Sequence, residues 1–374
     1  GPAAMCVGAG RPKVVALLSI EDSGHLNPLI ALAERLVRHG WTVHFFVPAC
    51  VRRRVEAIGA VWCHYGAEDW TLWSAAEQGC AQLGMETPVE VREEAMPFAV
   101  VPAALAMLPF LIGRMSQIRP GLLVHDAACP WACLLGQVLR VPAVCSMTAL
   151  PMPMAEREVH SAKFSEHGRA VLDATVAAIK TAYGLDYNHN HSYANYSPYT
   201  LVWSSRYWHR GSAEFPESQF HYWGPLTSAR IGYEDAAPAD ESAPLVFASL
   251  GTIATGPLFP LYAKLFQDFY GKLCRVAAAM PEASFLVSVG AAVPATESAD
   301  GRLTTLFADI AVPANMTVMR SVDQLKVLQR AKAFITHCGQ NSTSETIMAA
   351  VPVVVCPFWG DQLANAQRFV ELGC

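Results

Sequence analysis

Residues 333–365 read AFITHCGQNSTSETIMAAVPVVVCPFWGDQLAN, and their parsing decides the fold. Ala333–Thr336 is a short apolar run of strand type. Gly339 permits a tight turn, and Asn341 and Ser342 open a helix. A second apolar run, Val353–Pro357, follows. Two strands joined through a helix make a βαβ unit, the connection that parallel strands require. The runs are continuous rather than alternating, as in strands buried on both faces of a parallel sheet.

The same alternation extends in both directions. In the first half the strand candidates are Val14–Ile20, Thr42–Val47, Leu122–His125, Ala143–Met147 and Leu201–Trp203. In the second half Leu245–Ser249, Ser284–Val289 and Met316–Met319 precede the two already quoted. Asn27 is placed to cap the helix after the first strand, with Pro28 as its first residue. Leu29, Leu32, Ala33 and Leu36 follow at helical spacing and Gly40 ends the run. A further helix runs from Pro130 to about Leu139. Residues 231–244 (IGYEDAAPADESAP) are acidic and rich in Ala, Pro and Ser, so they read as a linker. The expected class is α/β, with doubly wound domains at 5–230 and 245–374. Such halves place ligands at the carboxyl ends of their strands, in a crevice.

Composition agrees. A chain of 374 residues suggests about two domains. Apolar residues make up 52% and charged residues 16%, which excludes a disordered chain. The formal charge of −5 leaves no basic excess for nucleic acid. The 11 cysteines form no CxxC pair, which fits a reducing compartment and a cytoplasmic protein. Val14–Ile20 is too short for a signal peptide, and Gly1–Ala4 reads as a cloning remnant. Met96–Ile112 comes closest to a membrane span, but its length and its prolines at 97, 102 and 109 favour a pocket wall or core.

Several clusters could carry chemistry. A helix opening after Gly339 offers unpaired N–H groups and a positive dipole end to an anion, with His337 and Ser342 as added donors. Ser342 and Glu345 equally fit a capping box, which needs no ligand. Asp361 and Gln362 supply acceptors and donors for sugar hydroxyls, or form a polar loop. His25 lies just past the first strand, and its ordinary pKa of about 6.5 suits a general base. Asp126 ends another strand and is placed to orient that imidazole. Its neighbour His125 reads as a packed strand residue. Asn188–His191 carries two imidazoles but no third ligand, so it reads as a loop, and no Asp-x-Asp pair invites a metal.

Together Gln324, the block from His337 to Glu345, and Asp361–Gln362 resemble the donor signature of UDP-sugar-dependent glycosyltransferases of the GT-B fold. This family includes plant secondary-metabolite glycosyltransferases, animal glucuronosyltransferases and bacterial macrolide glycosyltransferases. Ser249–Leu–Gly–Thr252 and Gly24–His25–Leu–Asn–Pro28 are similar to it as well. The resemblance implies that Gln324 contacts uracil. It implies that His337, Asn341 and Ser342 hold the diphosphate, with Gly339 admitting the backbone. Glu345 would serve the ribose, Asp361 and Gln362 the sugar, and Thr252 the phosphates or sugar. It also places a catalytic His–Asp dyad at His25 and Asp126. Metal would be replaced by the helix start, so no cofactor is expected. Ser321, Gln340 and Asp323 depart from the Trp, Trp and Pro of plant members, which points to the bacterial branch.

The expected activity is inverting, metal-independent transfer of a hexose, glucose by the presence of Gln362, from a UDP-sugar to a hydroxyl of a small apolar natural product. The apolar, Met-rich segments 96–112 and 147–154 favour such an acceptor. A UDP-sugar epimerase of the same fold and a non-catalytic nucleotide-sugar-binding protein are the alternatives. Members of the family continue past the position of Gly373 with a sixth strand and helices, so the second domain is expected to be incomplete here.

Overall fold

A computed structural model describes residues 13–88, 96–191, 194–228, 233, 236–252, 255, 259–358 and 360–374. The chain divides into two compact units, Gly1–Ser228 and Ala229–Cys374. Of the segment read as a linker, 231, 232, 234 and 235 lie outside the described residues. Its later part belongs to the second unit's surface, where Ala236 is buried and its carbonyl accepts from Arg330.

The first unit is built on seven parallel strands: β1 (Val14–Leu18), β2 (Thr42–Phe46), β3 (Val61–Cys63), β4 (Leu122–Asp126), β5 (Ala143–Met147), β6 (Tyr199–Val202) and β7 (Phe220–Tyr222). Their order is β3-β2-β1-β4-β5-β6-β7. This is the doubly wound order, and its direction reverses between β1 and β4. The helices are α1 (Ser23–Arg38), α2 (Arg52–Ala57), α3 (Leu72–Gln82), α4 (Met96–Ile118), α5 (Pro130–Leu139), α6 (Met154–Ser161) and α7 (Glu166–Tyr183). Two of the strands escape the sequence reading because β3 and β7 are only 3 residues each. Trp203, the last residue of the candidate Leu201–Trp203, falls just past β6 and is buried.

One expectation about helices is corrected, and the core role read for Met96–Ile112 holds over a longer helix. Helix α1 starts at Ser23 with Asp22 at its cap, and Pro28 sits in its second turn. His25 is therefore a first-turn residue and not part of a loop. Helix α4 runs through Pro102 and Pro109 to Ile118, and among the described residues it alone passes the length and apolarity test for a membrane span. It is a core element. Phe98, Val100, Leu108 and Leu111 are fully buried, and the helix packs against α3, α5 and α7. Each such side chain contributes about 1.5–3 kcal/mol when buried. Its apolar surface is consumed by this packing.

The second unit carries β8 (Leu245–Ser249), α8 (Phe259–Ala279), β9 (Ser284–Ser288), β10 (Ala295–Glu297), β11 (Leu303–Leu306), β12 (Ile310–Ala311), β13 (Met316–Met319), α9 (Gln324–Leu328), β14 (Ala331–Thr336), α10 (Gln340–Ala349), β15 (Val353–Val355) and α11 (Asp361–Leu372). Its main sheet is parallel with order β13-β9-β8-β14-β15, which repeats the doubly wound pattern with a reversal between β8 and β14. Phe247 and Phe334 stack across these two strands at 4.8 Å. A small antiparallel sheet, β10-β11-β12, was not legible in the sequence. β15 stands at one edge of this sheet and exposes Val354. The 10 described cysteines are all free.

Candidate functional site

Each unit gathers candidate residues where its strand order reverses. In the first unit, β1 and β4 run side by side, with Leu18 opposite His125. The next residues of the two chains therefore emerge together. Helix α1 leaves the end of β1, its first turn closing through the bond from the His25 N–H to the Asp22 carbonyl at 2.9 Å. This delivers His25 Nδ1 to 2.9 Å from Asp126 Oδ1. The carboxylate only accepts, so the proton of this bond lies on Nδ1. Asp126 is fully buried while the imidazole keeps 22% exposure, so the pair is held from behind and open in front.

Asp126 Oδ1 also accepts from the Ala128 N–H at 2.7 Å, and Oδ2 has no partner among the described residues. Thr148 Oγ1 stands 3.3 Å from His25 Nδ1. Neither Thr148 nor Asp22 was singled out from sequence. Thr148 follows β5, beside β4, so the rule that sites form past strand ends reaches it too. Burial pushes the Glu21 and Asp22 carboxyls up, His25 opposing this for Asp22. His125 is buried, bonded through Nδ1 to the Asp126 carbonyl and through Nε2 to Ser197 Oγ, which makes it a structural residue.

In the second unit Ser249 of β8 lies opposite Thr336 of β14. The turn after β14 holds His337, Cys338 and Gly339. The positive φ expected of a glycine falls on Cys338, at 65°. Gly339 is needed for another reason: a Cβ there would stand 2.5 Å from His337 Nε2. Gly251, at φ 82°, meets the same ring, and any Cβ would overlap it. The imidazole is thus wedged between two glycines. Its Nδ1 is shielded from solvent. Burial pushes the His337 pKa down to about 4, a backbone group of Ser249 opposing the shift, so the ring is neutral at ordinary pH.

Helix α10 begins at Gln340 with Gly339 at its cap. Ser342 is therefore inside the helix, and the capping box with Glu345 does not form. The cap comes from the next helix: Asp361 Oδ2 accepts from the Gln340 N–H at 2.8 Å, a carboxylate on a positive dipole end. Asn365 is fully buried and ties the Cys338 carbonyl to α11 at 2.9 Å, with Asp361 Oδ2 at 3.4 Å from the same amide nitrogen. Gln324 Nε2 donates to Glu345 Oε2 at 2.7 Å and to Ser342 Oγ at 3.2 Å. Gln362 is buried and its Oε1 accepts from the Phe358 N–H at 2.9 Å. Thr252 is exposed, just past Gly251. The structure thus brings His337, Gly339, Asn341, Ser342, Glu345, Gln324, Asp361 and Gln362 onto connected turns. Among the described residues no group of three His, Cys, Asp or Glu side chains could hold a metal.

Residues 311–374 match the family described as UDP-glucoronosyl and UDP-glucosyl transferase. The chain is 25% identical to the NDP-glycosyltransferase YjiC of Bacillus subtilis (strain 168), over 96% of this chain and 83% of that protein. It is 24% identical to the oleandomycin glycosyltransferase of Streptomyces antibioticus, over 97% of this chain and 78% of the relative. The crystal structure of the glycotransferase of kitacinnamycin superposes with a TM-score of 0.74 at 25% identity, covering 97% of this chain and 85% of the other. Fold and relatives define a glycosyltransferase of the GT-B type, which transfers a sugar from a nucleotide sugar. Within that class the chain is similar to the UDP-glycosyltransferases, whose family description residues 311–374 match.

Proposed function

We propose that this enzyme is an inverting, metal-independent hexosyltransferase that moves glucose from UDP-glucose to a hydroxyl of a small, largely apolar natural product. The His25–Asp126 pair carries the reading. An imidazole whose Nδ1 faces a fully buried carboxylate, with its ring still open to solvent, is a general base ready for an acceptor hydroxyl.

Nε2 of His25 takes the hydroxyl proton as the acceptor oxygen bonds to the anomeric carbon. The bond from that carbon to the diphosphate breaks, and UDP carries away the electron pair. One displacement inverts the carbon. Asp126 stabilises the imidazolium that forms. His337, Asn341, Ser342 and the start of α10 receive the developing charge on the diphosphate, the office a metal fills elsewhere, with Thr252 beside the phosphates. Glu345 takes the ribose hydroxyls, and Gln324, bonded to that carboxylate, reaches the uracil. Asp361 and Gln362 meet the sugar. The oleandomycin and kitacinnamycin enzymes support a natural-product acceptor.

The test is a screen of UDP- and dTDP-sugars against phenols, sterols and macrolides, read by mass spectrometry, with and without a chelator. A β-glucoside made from UDP-glucose at the same rate in chelator is the expected result. A retained anomeric configuration, a chelator-sensitive rate or preference for a dTDP-sugar would overturn the corresponding part.

A further inference from the structure

The turns after three neighbouring strands of the second sheet are locked by one row of close contacts. β9, β8 and β14 end in register, Ser288 opposite Ser249 and Ser249 opposite Thr336. Gly290 follows the first, Gly251 the second and His337 the third. Thr255, 1% exposed, lies between the first two. Its Oγ1 donates to the Gly251 carbonyl at 2.5 Å, and its own carbonyl accepts from the Ala292 N–H at 3.3 Å. A Cβ on Gly290 would overlap the Thr255 hydroxyl, just as one on Gly251 would overlap His337. Both glycines hold positive φ, 80° and 82°. Gly290, Thr255, Gly251 and His337 therefore form a row without slack.

We propose that Thr255 is a positioning residue for donor binding. Its hydroxyl fixes the Gly251 peptide, and that peptide sets the His337 ring at the position from which it meets the diphosphate. This rests on the reading of His337 as a diphosphate ligand. Thr255 acts only through Gly251 and touches no substrate. Without the hydroxyl the Gly251 turn relaxes and the ring loses one wall of its slot.

Thr255→Val keeps the shape and removes the bond, and Thr255→Ser keeps the bond. For each, UDP affinity is measured by calorimetry, donor KM, acceptor KM and kcat by steady-state kinetics, and the His337 ring nitrogens by NMR of the full chain, assigned with His337→Gln. In the valine variant the His337 signals should move. Donor KM and the UDP Kd should rise about tenfold, equivalent to ~1.4 kcal/mol, the scale of one hydrogen bond. Acceptor KM and kcat should stay within about twofold, a margin of ~0.4 kcal/mol, and the serine variant should restore every value. Thr255→Ala replaces the valine variant if circular dichroism shows that one unfolded. Unchanged ring signals, an equal loss for donor and acceptor, or failure of serine to rescue would overturn the proposal. Full UDP affinity in His337→Gln would instead overturn the diphosphate reading, and the ring signals would still decide whether Thr255 places the imidazole.

Discussion

His25 Nδ1 meets Asp126 Oδ1 at 2.9 Å although the two residues are 101 positions apart in the chain. The parallel register of β1 and β4 makes the meeting, because both residues belong to segments that leave the sheet at its reversal point. Asp126→Asn keeps the shape but replaces an acceptor-only group with an amide that can present N–H to Nδ1, favouring the wrong tautomer. kcat should fall by roughly 10²–10⁴-fold, the range that acid–base groups supply. Donor KM should hold. An unchanged kcat would remove Asp126 from the mechanism.

His25→Ala should abolish transfer while leaving UDP affinity within a few-fold, since every residue assigned to the nucleotide lies in the second unit. Calorimetry with UDP, beside a transfer assay, separates these effects. Loss of nucleotide binding in this variant, or retained turnover, would refute the role of His25 as base.

The sheets were legible where strands lay in clear apolar runs. All five strands of the second main sheet were read, because runs such as Leu245–Ser249 and Met316–Met319 are apolar and bounded by breaks. The strands that went unread, such as Val61–Cys63 and Ile310–Ala311, are too short to show a period. The start of α1 was misplaced where Asn27–Pro28 offered a good local signal, and Ser342–Glu345 offered a capping box that does not form. Helix α1 begins more than one turn further back, on a backbone turn at Asp22, whereas α10 begins at Gln340, one residue before Asn341, and takes its cap from a carboxylate of another helix. Side chains named for chemistry were legible, whereas Thr148, Thr255 and Asn365 were not. Their importance comes from which strand ends lie side by side, and no local pattern encodes that.

His337 should bind the donor as a neutral ring. Its pKa is pushed down to about 4 by burial, below the ordinary value of about 6.5. The affinity for UDP-glucose should therefore stay flat between about pH 5.5 and 8, where a charged imidazole of ordinary pKa would release its ligand as pH rises. The sugar diphosphate itself does not titrate there, so the profile reports on the protein. Stability runs the other way. A folded pKa below the unfolded one means the contribution is complete above about pH 6.5 and is lost as pH falls toward 4. His337→Gln should flatten that acid limb in chemical denaturation. Affinity that falls between pH 6 and 7.5 would show a charged ring instead.

Asp361 is asked to serve two partners, and its variants should separate them. Oδ2 caps α10 through the Gln340 N–H at 2.8 Å, while the proposed sugar contact needs the carboxylate as well. Asp361→Ala removes both and should cost about 1 kcal/mol of stability, the usual worth of a helix cap. Asp361→Asn retains an oxygen that can accept from Gln340, so most of that stability should return. The amide has lost the charge that strengthens hydrogen bonds from sugar hydroxyls, so donor KM should stay high. Urea unfolding beside donor kinetics on both variants gives the comparison. If asparagine restores stability and donor KM together, Asp361 is a cap alone, and the sugar must be held by Gln362 and its neighbours.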